Sequence, residues 1–131
     1  MTCHLIFDIK ISECFRRKAR FAADGHKVLT PPLMSCGTVV SRDSARISLL
    51  IAASNDLDAL RCDVQNAFPS ANDLERHCSI AGNEFGHEKG KIFTVVRALC
   101  GLKSASAAFG SFMAKKSDEM NFVSSTADPD V

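Results

Sequence analysis

The sequence lacks closely spaced cysteines, although it contains six of them in 131 residues. They stand at positions 3, 14, 36, 62, 78 and 100, and no two form a Cys-x-x-Cys pair. This spacing excludes the common zinc and dithiol motifs. The wide, irregular intervals also fit a disulfide framework poorly. We therefore expect reduced cysteines, most of which act as small buried hydrophobic residues.

Long apolar runs are missing as well. No charge-free apolar stretch reaches the roughly 18 residues that a membrane span needs, so we expect none. The first eight residues have neither the basic start nor the apolar run of a secretory signal. These absences predict an intracellular protein, in the cytoplasm or the nucleus.

Motifs of ATPases and hydrolases are incomplete or absent. Residues 86–91 are one residue short of a phosphate-binding loop, and Ile92 stands where that loop has Ser or Thr. His87-Glu88 lacks the second histidine of a zinc-protease helix. No Gly-x-Ser-x-Gly or Ser-x-x-Lys segment occurs. Nothing in the sequence therefore supports a hydrolase.

What is present is a locally basic segment in a nearly neutral chain of net charge +1. Residues 10–27 contain six basic and two acidic side chains, which gives this segment a charge of +4. The basic residues are Lys10, Arg16, Arg17, Lys18, Arg20 and Lys27. Such a stripe is typical of a solvated charged face, and it also suits a phosphate backbone. Charge alone leaves both interpretations open.

Apolar periodicity predicts a mixed α/β or α+β layout in the order strand, strand, helix, strand, strand, helix. The predicted strands cover residues 3–11, 15–23, 60–64 and 92–99. Asp24-Gly25 predicts a turn, and residues 69–72 and 82–90 predict loops. One helix is predicted from a Ser44 cap to residue 54, well buried because it is apolar nearly all round. The other covers residues 105–120, with a turn at Gly101 and a cap at Ser104.

Asp63 is the clearest candidate for a functional residue, because it follows the predicted strand segment at residues 60–62. A carboxylate at the end of a buried strand is costly unless it is paired or binds a cation. Magnesium takes oxygen ligands, often one or two carboxylates together with substrate phosphates. The other interpretation, a turn or cap residue, is the more common one for a lone aspartate.

Several blocks of the sequence resemble one enzyme family. Residues 63–68 (Asp-Val-Gln-Asn-Ala-Phe) resemble the first catalytic motif of reverse transcriptases, Asp-Val-x-x-Ala-aromatic. Residues 18–26 (Lys-Ala-Arg-Phe-Ala-Ala-Asp-Gly-His), 39–46 (Val-Val-Ser-Arg-Asp-Ser-Ala-Arg) and 98–105 (Ala-Leu-Cys-Gly-Leu-Lys-Ser-Ala) resemble copia-type retrotransposon enzymes in the same order. Residues 127–130 resemble the stretch before that family's next strand. The resemblance covers about residues 5–131, and four blocks in order are a specific signal.

The resemblance implies a fold and an activity. The fold would be α+β, a partial fingers-and-palm polymerase with an incomplete antiparallel sheet packed on helices. It would form one partial domain, with the fingers over about residues 1–45 and part of the palm over about 46–131. The parent enzyme would be an RNA-directed DNA polymerase (a nucleotidyltransferase). It would use magnesium (Mg²⁺), deoxynucleotides and an RNA or DNA template-primer.

The resemblance implies a catalytic and metal-binding role for Asp63. Its carboxylate and the backbone carbonyl of Val64 would bind the two magnesium ions that stabilise phosphoryl transfer. Phe68 would lie beneath the sugar of the nucleotide and exclude a 2′-hydroxyl. The structural alternative for Phe68 is core packing.

Four more residues would bind the nucleotide. Lys18 and Arg20 would face its triphosphate, and Gly101 and Lys103 would shape the floor of the template and nucleotide site. The alternatives are a solvated strand face for the first pair, and a helix-entry turn and a surface lysine for the second.

The sequence also departs from the family pattern. Pro69, Asp24, Cys100 and Phe109 replace the usual residues, and residues 104–106 differ as well. The family's second catalytic block, aromatic-x-Asp-Asp, is absent, since no Asp-Asp pair occurs. We therefore expect this chain alone to be inactive. The alternatives are a non-catalytic nucleic-acid-binding remnant and a relic open reading frame without function.

Overall fold

The structure, a computed structural model, describes residues 1–11, 14–28, 37 and 39–128. Within these ranges the chain has a mixed α/β arrangement with two small antiparallel sheets. Glu13 of the basic segment, Cys36 and the last two residues of the 127–130 block lie outside the described residues.

The first sheet is a hairpin of strands β1 (Cys3–Lys10) and β2 (Arg16–Ala23). The pairing is regular at all eight positions, from Cys3 opposite Ala23 to Lys10 opposite Arg16. The strands predicted at residues 3–11 and 15–23 are confirmed to within one residue. The turn predicted at Asp24-Gly25 is a short 3₁₀ turn, Gly25–Lys27.

Helix α1 (Arg42–Ser54) begins earlier than predicted, because Ser41 rather than Ser44 is its cap. Ser41 Oγ accepts the backbone N–H of Ser44 at 3.0 Å, a bond that stabilises a first turn by about 1 kcal/mol. The prediction that this helix is well buried is wrong. None of its residues is buried, and Leu50 is 66% exposed. The reason is that no described helix or strand packs extensively against it, and its partly covered positions carry the small residues Ser44, Ala45 and Ala52.

The strand predicted at residues 60–64 is also wrong, since this segment has no regular structure. Leu60 is 94% exposed, and no described strand pairs with the segment. Extended backbone without a partner strand forms no ladder hydrogen bonds. In place of the loop predicted at residues 69–72 there is a short helix, α2 (Ala67–Ser70). Pro69 fits into its first turn, where a backbone N–H has no helical partner.

Strand β3 (Asn72–Ile80) was not predicted from the sequence pattern. Its alternate polar residues face inward, whereas Leu74 and Ile80 face outward. The inward residues are Asp73, Glu75, His77 and Ser79. This reverses the usual alternation, so hydrophobic periodicity contains no clear indication of the strand.

Strand β4 (Ile92–Arg97) pairs antiparallel with β3 and ends two residues before the predicted end. Helix α3 (Ala105–Glu119) confirms the helix predicted at residues 105–120. Ser104 stands at its N-cap position, but its buried Oγ makes no hydrogen bond with the described chain. The prediction of Ser104 as the N-cap residue is therefore confirmed, but its side chain does not form the expected capping hydrogen bond. The loop predicted at residues 82–90 contains 3₁₀ turns, Asn83–Glu88.

The two sheets meet where β2 ends and where the chain turns into α3. The backbone N–H of Ala23 donates to the carbonyl of Cys100 at 2.8 Å, and Ala22 forms a parallel bridge with Cys100. The core around this junction consists mostly of small side chains: Cys3, Ala23, Ala71, Val95, Ala98, Leu102, Ala105 and Ala108. Small residues allow the backbones of the two sheets to approach closely.

A cluster of three phenylalanine rings closes the other side of this junction. Phe21 of β2 meets Phe85 at 5.7 Å and Phe93 of β4 at 6.1 Å, measured between ring centroids. Aromatic pairs of this kind contribute about 0.5–1.5 kcal/mol each beyond the burial of their area. The cluster therefore fixes the first hairpin against the second.

Two further expectations concern membranes and cysteines. In the described ranges no helix has the length and apolar character that crossing a membrane requires. The five described cysteines are unpaired, in line with reduced thiols. The expectation that most of them are buried is wrong, because only Cys3 is buried and Cys14, Cys62 and Cys78 are exposed.

Candidate phosphate-binding cleft

The best candidate for a functional site is a cleft of about 660 Å³ between the first hairpin and the segment that follows α1. Its hairpin side consists of residues from the ends of β1 and β2 nearest their connection. Its other side consists of four consecutive residues after the exposed segment at residues 57–62. The lining residues are Lys10, Arg16, Arg17, Lys18, Ala19, Asp63, Val64, Gln65 and Asn66.

The hairpin supplies the positive charge because its basic residues collect at one end of the ribbon. Lys10 lies opposite Arg16, and Lys18 lies opposite Asp8. Arg17 is exposed and Lys18 is half-buried. Neighbouring residues of a strand point to opposite faces, so the cleft runs around the edge of β2 at Arg17 and Lys18. This edge has no described partner strand at these positions.

The segment with Asp63 is held by the start of α2. Asn66 adopts a left-handed conformation with φ of 53°, which asparagine tolerates better than most residues. The carbonyl of Asn66 then accepts the N–H of Ser70 at 3.2 Å. This turn sets the direction of residues 63–66. Asp63 is exposed rather than buried, so the expected cost of a buried carboxylate does not apply.

The donor set of the cleft does not fit a pair of magnesium ions. Asp63 is the sole acidic side chain among its described lining residues, and four of the others carry positive charge. No group of three His, Cys, Asp or Glu side chains suited to a metal occurs in the described part of the chain. A dication needs oxygen ligands of opposite charge, which one carboxylate beside Arg and Lys supplies poorly. The described residues of the cleft therefore do not form a two-metal site by themselves.

The cleft brings together three of the seven residues that the resemblance marks: Lys18, Asp63 and Val64. Arg20, on the same face of β2 as Lys18, does not line it, and neither do the remaining three. Arg17, Gln65 and Asn66 also line the cleft, and the family resemblance implies no role for any of them. For Arg17 a signal was present, because it belongs to the basic segment.

Phe68 is half-buried and packs against the protein core. Its ring meets the ring of Phe109 edge to face at 6.2 Å, and Phe109 lies 6.4 Å from Phe112. These contacts fix α2 on α3. They match the structural alternative of core packing for Phe68.

Gly101 and Lys103 act at the junction of the two sheets. Gly101 has φ of 94°, and a Cβ added there would lie 2.1 Å from the carbonyl oxygen of Ala23. The ammonium group of Lys103 donates to the carbonyl of Val28 at 3.0 Å. Both residues therefore hold the chain after β2 against the chain before α3.

Asp24, one of the departures from the family pattern, anchors the N-terminus to the end of β2. Its carboxylate accepts hydrogen bonds from Thr2 Oγ1 at 2.5 Å and from Lys27 Nζ at 3.0 Å. The Thr2 hydroxyl, followed by the Lys27 ammonium, lowers the pKa of Asp24 to about 2. Its backbone N–H also donates to the carbonyl of Thr2 at 2.9 Å.

A second polar cluster lies on the inward face of β3 and was not predicted. His77 Nδ1 is 2.6 Å from Asp73 Oδ2, and His77 Nε2 is 3.1 Å from Glu75 Oε2. The side chains of His77 and Asp73 are 6% and 2% exposed. Each ring nitrogen of His77 therefore lies within hydrogen-bonding distance of a carboxylate. The cluster satisfies charges that would otherwise be costly to bury.

Comparisons with protein-family models, with curated proteins and with solved structures found no match to this chain.

Proposed function

We propose that this chain is a fingers-and-palm part of a copia-type retrotransposon reverse transcriptase, an RNA-directed DNA polymerase. The first hairpin would belong to the fingers, and the elements from α1 onward would belong to the palm. The proposal is supported by the order of the sequence blocks. The observation that carries it is the cleft, because Lys18 lies far in sequence from Asp63 and Val64 and yet lines the same depression.

Within this proposal the cleft binds the phosphate groups of a nucleotide or of a template-primer. Arg17 offers a planar guanidinium group that bonds two phosphate oxygens at once, and Lys18 offers a compact ammonium group. The side-chain amides of Gln65 and Asn66 add neutral N–H donors. Phe68, Gly101 and Lys103 contribute indirectly, by holding the elements that form the two sides of the cleft.

The chain of 131 residues should be inactive by itself, because it contains no Asp-Asp pair to complete a two-metal site. The test is primer extension with purified chain, an RNA template, a DNA primer, deoxynucleotides and magnesium. We expect no incorporation above a protein-free control. Magnesium-dependent incorporation that Asp63→Asn abolishes would contradict this expectation.

Membership of the family is tested on the transcript that encodes the chain. We expect the reading frame beyond the codon of Val131 to contain aromatic-x-Asp-Asp within a few tens of residues. A protein extended through that block should perform primer extension, and Asp63→Asn should abolish it. Asp58→Asn is the matched control, since Asp58 is an exposed acid of the neighbouring segment that does not line the cleft. A frame without that block would favour the alternative of a non-catalytic remnant or relic, and activity that survives Asp63→Asn would refute the proposal.

A further inference from the structure

We infer that the cleft binds phosphate groups directly, without a divalent cation, and that Asp63 weakens this binding instead of supporting it. The inference rests on the proposed function in one respect: it assigns a ligand chemistry to the same cleft. The shared chemistry is a chain of phosphate groups, either the triphosphate of a nucleotide or the backbone of a single-stranded nucleic acid.

A ligand in the cleft meets mostly positive charge among the described lining residues. Arg17 and Lys18 stand at consecutive positions on an edge of β2 that no described strand covers at that point. A polyanion lying along this edge meets both cations and the amides of Gln65 and Asn66. Cationic side chains of this kind, together with amide donors, are the usual partners of phosphate oxygens.

Asp63 is the sole carboxylate among the described lining residues of the cleft. A carboxylate assists phosphate binding only when a cation stands between the two anions. The other described lining residues supply no second carboxylate with which Asp63 could hold such a cation. Asp63 therefore faces a phosphate ligand as a like charge. Removing one unit charge a few ångströms from a polyanion in a solvated cleft changes affinity by roughly fivefold.

The experiment measures equilibrium binding to the full 131-residue chain in buffer with EDTA and low salt. The two probes are deoxyadenosine triphosphate and a 12-nucleotide single-stranded DNA, with dissociation constants taken from calorimetry and fluorescence anisotropy. We expect at least one probe to bind, with an affinity that falls steeply as salt rises. If only one probe binds, the cleft takes that ligand, either the nucleotide or the single-stranded nucleic acid. If each probe displaces the other, the cleft takes both ligands. Binding of neither probe overturns the inference.

Two substitutions give the decisive comparison. Asp63→Asn should tighten binding roughly fivefold, whereas the control Asp58→Asn should leave it unchanged. The double variant Arg17→Gln with Lys18→Gln should weaken binding by more than tenfold. Its charge-matched control is Lys89→Gln with Lys115→Gln, at two exposed lysines outside the cleft. Far-ultraviolet circular dichroism checks that each variant keeps the secondary structure of the parent chain.

A titration with magnesium can overturn the inference. Titration of Mg²⁺ into the complex should leave the affinity unchanged or lower it, because the ion screens the phosphates. Affinity that rises with Mg²⁺ and loses this rise in Asp63→Asn would overturn the inference, and so would weaker binding by Asp63→Asn in EDTA. Neither result bears on the reading frame beyond Val131. The proposed function and this inference therefore fail by separate measurements.

Discussion

Replacing Gly101 with alanine tests the junction of the two sheets most directly. The residue has φ of 94°, a backbone conformation that costs an L-amino acid about 1–3 kcal/mol. The new Cβ would also lie 2.1 Å from the carbonyl oxygen of Ala23. This neighbour is backbone, so the end of β2 must move. The movement strains the hydrogen bond from Ala23 to Cys100, which contributes about 1 kcal/mol.

These effects together predict a loss of about 3–5 kcal/mol in the free energy of unfolding, a large share of the stability of a small domain. The control is Gly110→Ala in the interior of α3, where an added Cβ meets no atom within 4 Å. That change should stabilise the chain by about 0.5–1 kcal/mol, because alanine favours the helix. Urea titration followed by circular dichroism at 222 nm measures both variants.

The result that refutes this reasoning is a Gly101→Ala variant whose urea midpoint equals that of the parent chain. It would mean that the approach between residue 101 and the end of β2 is looser than the structure has it. A large loss in Gly110→Ala would point the same way, since it would show that stability in this chain does not follow local sterics.

Three further predictions follow from the polar and aromatic contacts. Thr2→Val should raise the pKa of Asp24 from about 2 toward 3.8. The stabilisation from this carboxylate is complete above pH 3.8 and is lost as pH falls through about 2. An NMR titration in which the pKa stays near 2 would exclude Thr2 as its cause. Asp73→Ala should lower the free energy of unfolding by about 1–3 kcal/mol, because it leaves Nδ1 of the buried His77 without its closest hydrogen-bond partner. A urea midpoint that stays at the parent value would contradict this. Phe68→Ala should cost about 2–3 kcal/mol if the ring is a core residue, and unchanged stability would instead favour a role facing the nucleotide.

The first hairpin, β4 and α3 were each predicted to within about two residues, because their apolar residues fit strand or helix spacing between clear turn signals. The pattern did not predict which of these residues are buried, since Phe7 of β1 and Ile92 of β4 are exposed. The pattern misled at α1, whose apolar residues lack a described partner. It failed at β3 because that strand turns Asp73, Glu75 and His77 inward. Periodicity identifies an inward face only when that face is apolar.

The sequence by itself determined the local features: the basic charge of residues 10–27, the glycine at the turn before α3, and the motif around Asp63. Each depends on side-chain chemistry or backbone freedom within a few residues. The tertiary structure alone decided which of them meet. It brought Lys18 and Asp63 to one cleft, left Arg20 outside that cleft and packed Phe68 against the core. Residues that are distant in sequence come together because the backbones of the two sheets approach closely at small side chains. That approach is a property of the folded chain, and no local sequence pattern contains it.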